Sequence, residues 1–356
     1  MTTEVKSVAV EPGSATPDRP ESVETHLSSA GQGFDWLMTV LSGTFLGGLF
    51  LDGWAHTHGR VDDTFFTPWH AVLYSGYLVT ALALVGRAAW DLARGAGWRQ
   101  ALPDGYGLAL AGAGLWVIGG PFDLLWHTLF GFEASVEALM SPAHTVLALG
   151  LGLMASGPLR AALRRPPGRW HDELPLVLSL TFVVATLTFF TQIAHPISNL
   201  WAAATTLASA DVTELGLVGT LLTAAIVTAP VLLLLRHGRL PAGAVAIFVG
   251  LQCFAMGFVY DRGPYPTLPV AGMIVAGAVV ELLRVVLRPA VSRPAAFRWF
   301  AFALPVLLYA GYFGALGLAG GIRWSTHLWT GAVVFSGIIG WLISYLVLPP
   351  RLQPGR

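Results

Sequence analysis

The chain has 356 residues, of which 54% are hydrophobic and 11% charged, and its twenty Lys and Arg balance its twenty Asp and Glu. With a mean hydropathy of +0.65, this composition excludes an ordinary soluble domain and fits a polytopic membrane protein whose solvent is the bilayer. Zero formal net charge offers no basic field for nucleic acid, no glycine-rich phosphate loop is present, and the single cysteine, Cys253, excludes an intramolecular disulfide and cysteine-built metal sites.

Residues 1–33 are dominated by Pro, Ser, Thr, Glu and Gly without an apolar run, which predicts a disordered cytoplasmic tail and not a signal peptide. Beyond it, apolar stretches of about twenty residues recur, the length a crossing needs. They predict an all-α polytopic bundle of ten transmembrane helices, at 34–56, 68–90, 106–127, 142–163, 174–195, 213–235, 241–260, 268–288, 297–318 and 326–348. The helices are expected in hairpin pairs, with 34–163 as the part that carries chemistry, 164–348 as the remaining helices and 349–356 as a second cytoplasmic tail.

Loop charge sets the expected orientation, because Lys and Arg in short loops stay on the cytoplasmic side. Fifteen of the twenty basic residues fall in alternate connections or the C-terminal tail, whereas the opposite loops hold only Arg60, Arg262 and Arg323. Both termini are therefore expected in the cytoplasm of a multi-pass cell-membrane protein. In that orientation His56, His70, His127, His144, His195 and His327 all fall at extracytoplasmic helix ends.

In chain order, Asp52-Gly53-Trp54-Ala55-His56 closes the first apolar segment and Thr67-Pro68-Trp69-His70 opens the second. The same internal repeat returns as Asp123-Leu124-Leu125-Trp126-His127 closing the third and Ser141-Pro142-Ala143-His144 opening the fourth. An acid and a histidine four apart share one helical face. Thr67 and Ser141 are natural N-caps, and Pro68 and Pro142 suit the first helical position, which puts the following histidine in the first turn. Each hairpin thus offers two imidazoles and one carboxylate, a donor set that suits copper, zinc or non-haem iron and leaves positions open. Ionisable groups at membrane depth are costly, so a doubled constellation of them points to a site; the competing reading is a pair of buried Asp-His hydrogen bonds that pin the hairpins.

Fragments of the scheme recur as secondary candidates. Trp324-Ser325-Thr326-His327 opens the tenth segment, and Gln192 and His195 close the fifth without an acid. Glu133 and Glu137 stand in the outer loop of the second hairpin, where they read as solvated acids that can also reach a metal or relay protons. Tyr260, Asp261 and Arg262 read as an exposed ion-paired group. His58, His171, His237 and His26 belong to loops or the tail. Trp54, Trp69 and Trp126 lie among the proposed ligands, where they can wall the site from water.

Asp52 to Gly76, with its Asp-x-x-x-His and Asp63-Thr64-Phe65-Phe66-Thr67-Pro68-Trp69-His70-Ala71-Val72, resembles the copper-binding stretch of the C subunit of the particulate methane and ammonia monooxygenases. Asp123 to Gly150, with Trp126-His127-Thr128-Leu129-Phe130 and Pro142-Ala143-His144, resembles that subunit's second site. The resemblance implies copper held by Asp52, His56 and His70, and a second copper held by Asp123, His127 and His144, with aspartate where the family has asparagine. It covers the first four or five helices. The first His-to-His interval is one residue longer than in the family, and this chain has more helices. The resemblance also implies other membrane or cupredoxin-like subunits as partners, beside the bilayer itself and a possible oligomer.

Three function classes follow. The first is a copper-dependent membrane monooxygenase or oxidase component acting on small apolar substrates. The second is a zinc-dependent intramembrane hydrolase, which needs a further acid, base or serine from among Glu133, Glu137 and Ser141. The third is a non-enzymatic protein of copper acquisition, transport or sensing; a transporter should continue its polar residues towards the cytoplasmic face, and the proposed ligands stop at one face.

Overall fold

The computed structural model describes residues 21–60, 66–131, 136–206, 209–259 and 267–350, with side chains from residue 31 onward. Asp63, Glu133, Tyr260, Asp261 and Arg262 lie outside the described residues. Among those described, the chain is an all-α bundle without a strand. Its helices are α1 (Glu21–Thr57), α2 (Pro68–Ala93), α3 (Gly107–Phe130), α4 (Val136–Met140), α5 (Pro142–Ala155), α6 (Gly157–Leu163) and α7 (Trp170–Phe190). There follow α8 (Pro196–Asn199), α9 (Ala210–Arg236), α10 (Ala244–Val259), α11 (Thr267–Leu287), α12 (Pro294–Ala319) and α13 (Thr326–Val347).

Nine apolar helical stretches among the described residues are long enough to cross a membrane, α5 and α6 counting as one. The seventh expected segment is shorter than its apolar run. Gly243 sits at φ +83, so α10 starts only at Ala244 and has 16 residues, about 24 Å of rise against a hydrocarbon core of about 30 Å. Helix α1 begins at Glu21, ahead of the boundary expected at residue 33. The stretch 21–30 lies beyond Pro20 and contains neither Pro nor Gly, so nothing local stops the helix from extending backwards. The membrane-crossing part starts at Gly31. The expected segment 142–163 is divided at Ser156, where Gly157-Pro158 follows and proline's missing N–H interrupts the ladder.

The first two hairpins pack as the repeat implies, α1 on α2 and α3 on α5. Small residues let the backbones close: a Cβ added to Gly48 would lie 2.8 Å from the Cα of Leu73, and one added to Gly76 would lie 2.7 Å from the Cα of Phe45. Later helices pair differently. Helix α9 packs chiefly on α13, α10 on α11, and α12 lies between α11 and α13, whereas α7 runs against α1, α5, α6 and α10. The connection from α7 to α9 is a broken stretch containing a 3₁₀ turn, Gln192–Ala194, and α8. Phe45, Met38, Trp116, Leu151, Met154, Phe300 and Phe313 are buried in one continuous core, while Leu82, Leu129, Val286 and Leu346 face outward as bilayer-facing residues do.

With one crossing after another, the C-terminal ends of α1, α3, α7, α10 and α12 share one end of the bundle with the N-terminal ends of α2, α5, α9, α11 and α13. A hydrogen bond of 2.6 Å from Thr57 Oγ1 to the carbonyl of Val259 joins α1 to α10 there. The opposite end is tied by ion pairs. Arg239 donates to Glu173 at 2.7 Å with both side chains buried, Arg165 pairs with Asp35, to which Tyr106 also donates at 2.6 Å, and Arg284 pairs with Glu281 at 2.6 Å.

Candidate metal centre

Each triad is assembled by the hairpin that the repeat defines. In the first, Asp52 and His56 project from the last turns of α1, and Thr67 caps α2 by accepting from the backbone N–H of His70 at 3.1 Å. In the second, Asp123 and His127 project from α3, and Ser141 caps α5 by accepting from the N–H of His144 at 3.3 Å. The donor atoms within each triad all lie within 4.8 Å of one another.

The geometry fits a cation in both places. Asp123 Oδ1 lies 3.1 Å from His144 Nε2 and 3.5 Å from His127 Nε2, and Asp52 Oδ2 lies 3.5 Å from His70 Nε2 and 3.8 Å from His56 Nε2. Donors held about 2.0 Å from a tetrahedral ion stand about 3.3 Å apart. Asp123 Oδ1 and Asp52 Oδ1 are buried without a hydrogen bond of good geometry, an arrangement that costs a carboxylate free energy unless a cation compensates.

The second triad also orients its rings through backbone carbonyls. His144 Nδ1 is held by the carbonyl of Ala138 in α4, and His127 Nδ1 faces the carbonyl of Gly131 at 3.4 Å. A carbonyl can only accept, so Nδ1 is the donor at both contacts, which leaves Nε2 of each ring as the atom turned towards Asp123 and available to a cation. Three potential ligand atoms are thereby gathered in one place, and outer carbonyls orient the rings as they do around metal-ligating histidines. The first triad is more open: the His56 side chain is 47% exposed, against 8% for His127.

The two triads are neighbours. Tyr74 stands one turn beyond His70 on α2, with its ring perpendicular to that imidazole at 6.4 Å between centroids. It lies over α3, where a Cβ on Gly120 would meet Tyr74 Cε1 at 3.3 Å, and its ring is 5.5 Å from Trp116. Tyr74 thus links α2, which carries His70, to α3, which carries Asp123 and His127, and the two helices touch. The hairpins therefore pack side by side as two adjacent donor sets. Tyr74 was legible only as the residue four after His70, and its position between the sites depends on how α2 meets α3.

The secondary candidates fall outside these sets. His195 caps α8, accepting from the N–H of Ile197 at 3.3 Å, and burial pushes its pKa down to about 4. His327 misses the pattern by one position. The cap of α13 is Ser325, so His327 is the second helical residue, where His70 and His144 are the third; one position turns a side chain about 100° around the axis. Glu137 is exposed on α4, and Ser141 is occupied as a cap. His58 stacks on Trp54 at 4.7 Å and bonds that residue's carbonyl. Trp54 meets Trp69 at 5.9 Å, while Trp126 packs on Phe122 and Phe130 of its own helix.

The geometry defines a class: a polytopic membrane helical protein with paired His/Asp groups placed to hold metal ions. No protein-family model, curated protein or solved structure matches the chain.

Proposed function

We propose that this protein binds copper at two adjacent sites, Asp52/His56/His70 and Asp123/His127/His144, on the extracytoplasmic side of the cell membrane. We assign it as the membrane component of an oxygen-dependent oxidation of small apolar molecules. The observation that carries the metal reading is the convergence of two Nε2 atoms on a buried carboxylate oxygen of Asp123, with each ring's Nδ1 directed at a backbone carbonyl. The choice of copper follows the resemblance of 52–76 and 123–150 to the monooxygenase C subunit.

Copper held by two imidazoles and a carboxylate with open positions supplies oxygen-dependent oxidation chemistry. The residues do the rest: Asp52 and Asp123 supply negative charge, the caps at Thr67 and Ser141 hold His70 and His144 in register, and the apolar outer face of α3 at Leu125 and Leu129 offers contact to molecules dissolved in lipid. Soluble electron-delivering subunits of cupredoxin type are the partners this reading requires.

The test is competitive loading. Detergent-purified protein is offered copper, zinc and iron(II) together, washed and analysed, and the copper form is examined by electron paramagnetic resonance. Retained copper with nitrogen couplings from imidazole is the expected result. Zinc retained in place of copper would move the assignment to a hydrolase, against which the capping role of Ser141 and the exposure of Glu137 already weigh.

A further inference from the structure

Both histidines of the second triad are tied to the chain that joins their helices. Gly131, at φ +82, ends α3 by donating its N–H to the carbonyl of His127 at 2.9 Å, and its own carbonyl faces His127 Nδ1 at 3.4 Å. On the other side, the carbonyl of Ala138 in α4 bonds His144 Nδ1. Helix α4 is five residues long, far below the length at which a helix is stable by itself. None of its side chains is buried; it packs chiefly on α5, and Leu139 leans on the core while Val136, Glu137 and Met140 are exposed. The contact with His144 is therefore a large part of what holds it.

A neutral imidazole has one N–H and one lone pair, yet each ring here faces an oxygen at both nitrogens. His144 lies between the Ala138 carbonyl and Asp123 Oδ1, which is 3.1 Å from its Nε2, and His127 lies between the Gly131 carbonyl and the same Oδ1 at 3.5 Å. With the proton on Nε2, a ring donates to the carboxylate and turns the Nδ1 lone pair on the carbonyl. With the proton on Nδ1, the carbonyl is served and the lone pair meets the carboxylate. Two neutral rings with two protons cannot satisfy two carbonyls and the shared carboxylate at once. A cation between the Nε2 atoms and Oδ1 removes the conflict, because the carboxylate then bonds the ion and both N–H groups go to the carbonyls.

We propose that α4 is a latch set by metal: occupancy of Asp123, His127 and His144 holds α4 against His144, and loss of the ion releases it. The inference rests on the metal reading of that triad, and not on which metal it holds. Through the latch the loading state reaches the surface, because α4 carries the exposed Val136, Glu137 and Met140 at the triad end of the bundle. The coupling is reciprocal, so a change that loosens α4 weakens metal binding by the same factor.

The experiment follows hydrogen–deuterium exchange by mass spectrometry on detergent-purified full-length protein, metal-free and loaded with copper(II) or with zinc(II), with metal content measured on the same samples. Exchange in the peptide 136–145 should slow about tenfold on loading, a usual size for coupling between sites. The slowing should appear in wild type and in His56→Ala, which keeps the second triad, and be lost in His127→Ala; exchange in 98–104, at the opposite end of the bundle, should not change. Leu139→Ala, which loosens α4 without touching a ligand, should lower affinity at the second triad about fivefold, with helicity by circular dichroism unchanged. Metal retained through His127 while 136–145 exchanges alike with and without it, or slows no more than 98–104, would overturn the latch and leave the metal site standing. Wild-type affinity in Leu139→Ala with faster exchange in α4 would also overturn it. No metal retained in either loading would overturn the metal reading and the latch together.

Discussion

At Asp123 a single atom, Oδ1, is the meeting point of two imidazole Nε2 atoms and makes no well-formed hydrogen bond. Asp123→Asn keeps the shape and removes the charge, so affinity at the second site should fall by at least about tenfold while the first is unaffected, as read by competition with a chromophoric chelator. Equal affinity would mean that the carboxylate charge does not contribute. His195 makes a different prediction. Burial holds its pKa at about 4 in the folded chain, below about 6.5 in an unfolded one. Between those values the unfolded state binds more protons, so stability is complete above pH 6.5 and is lost as pH falls towards 4, by up to about 3 kcal/mol. His195→Asn can keep the cap and should flatten that part of the stability curve relative to wild type; an unchanged slope would show that His195 is not the titrating group. The Asp-x-x-x-His spacing made the triads readable because four residues is a property of one helix. The role of His195 was not readable, because it depends on where α8 starts.

Among the elements, the two N-caps and the glycine contacts convert a repeated motif into a repeated geometry. Thr67→Ala should cost about 1 kcal/mol of stability and loosen His70, lowering affinity at the first triad only; Ser141→Ala should do the same for the second. A loss shared equally by both sites would contradict independent hairpins. Gly76→Ala places a Cβ 2.7 Å from the Cα of Phe45, so α1 and α2 must separate, at a cost of about 1–3 kcal/mol. The thermal midpoint should drop and first-triad binding should weaken with it. Pairing within these hairpins was legible because each element lies next to its partner in sequence. The packing of α9 on α13 was not, since apolar periodicity in a bilayer marks a helix without saying which neighbour it meets.

Over the whole molecule, composition alone established a bundle in the membrane, while the division of labour between its ends came from the structure. One end gathers the triads, and the other is closed by Arg239–Glu173, Arg165–Asp35 and Arg284–Glu281. Those acids are distant in sequence from most of their partners, so the sequence displayed only basic loops. Glu173→Gln leaves Arg239 buried and unpaired and should destabilise the fold by about 3–5 kcal/mol without changing metal content. Two hairpins that hold two separate ions set the metal content of each chain. Elemental analysis of loaded and washed protein should give about two ions per chain in the wild type, about one in His56→Ala and in His127→Ala, and none in the double variant, all with wild-type helicity. Metal content unchanged in His127→Ala would contradict the account and leave the histidines as hydrogen-bonding groups that pin the hairpins.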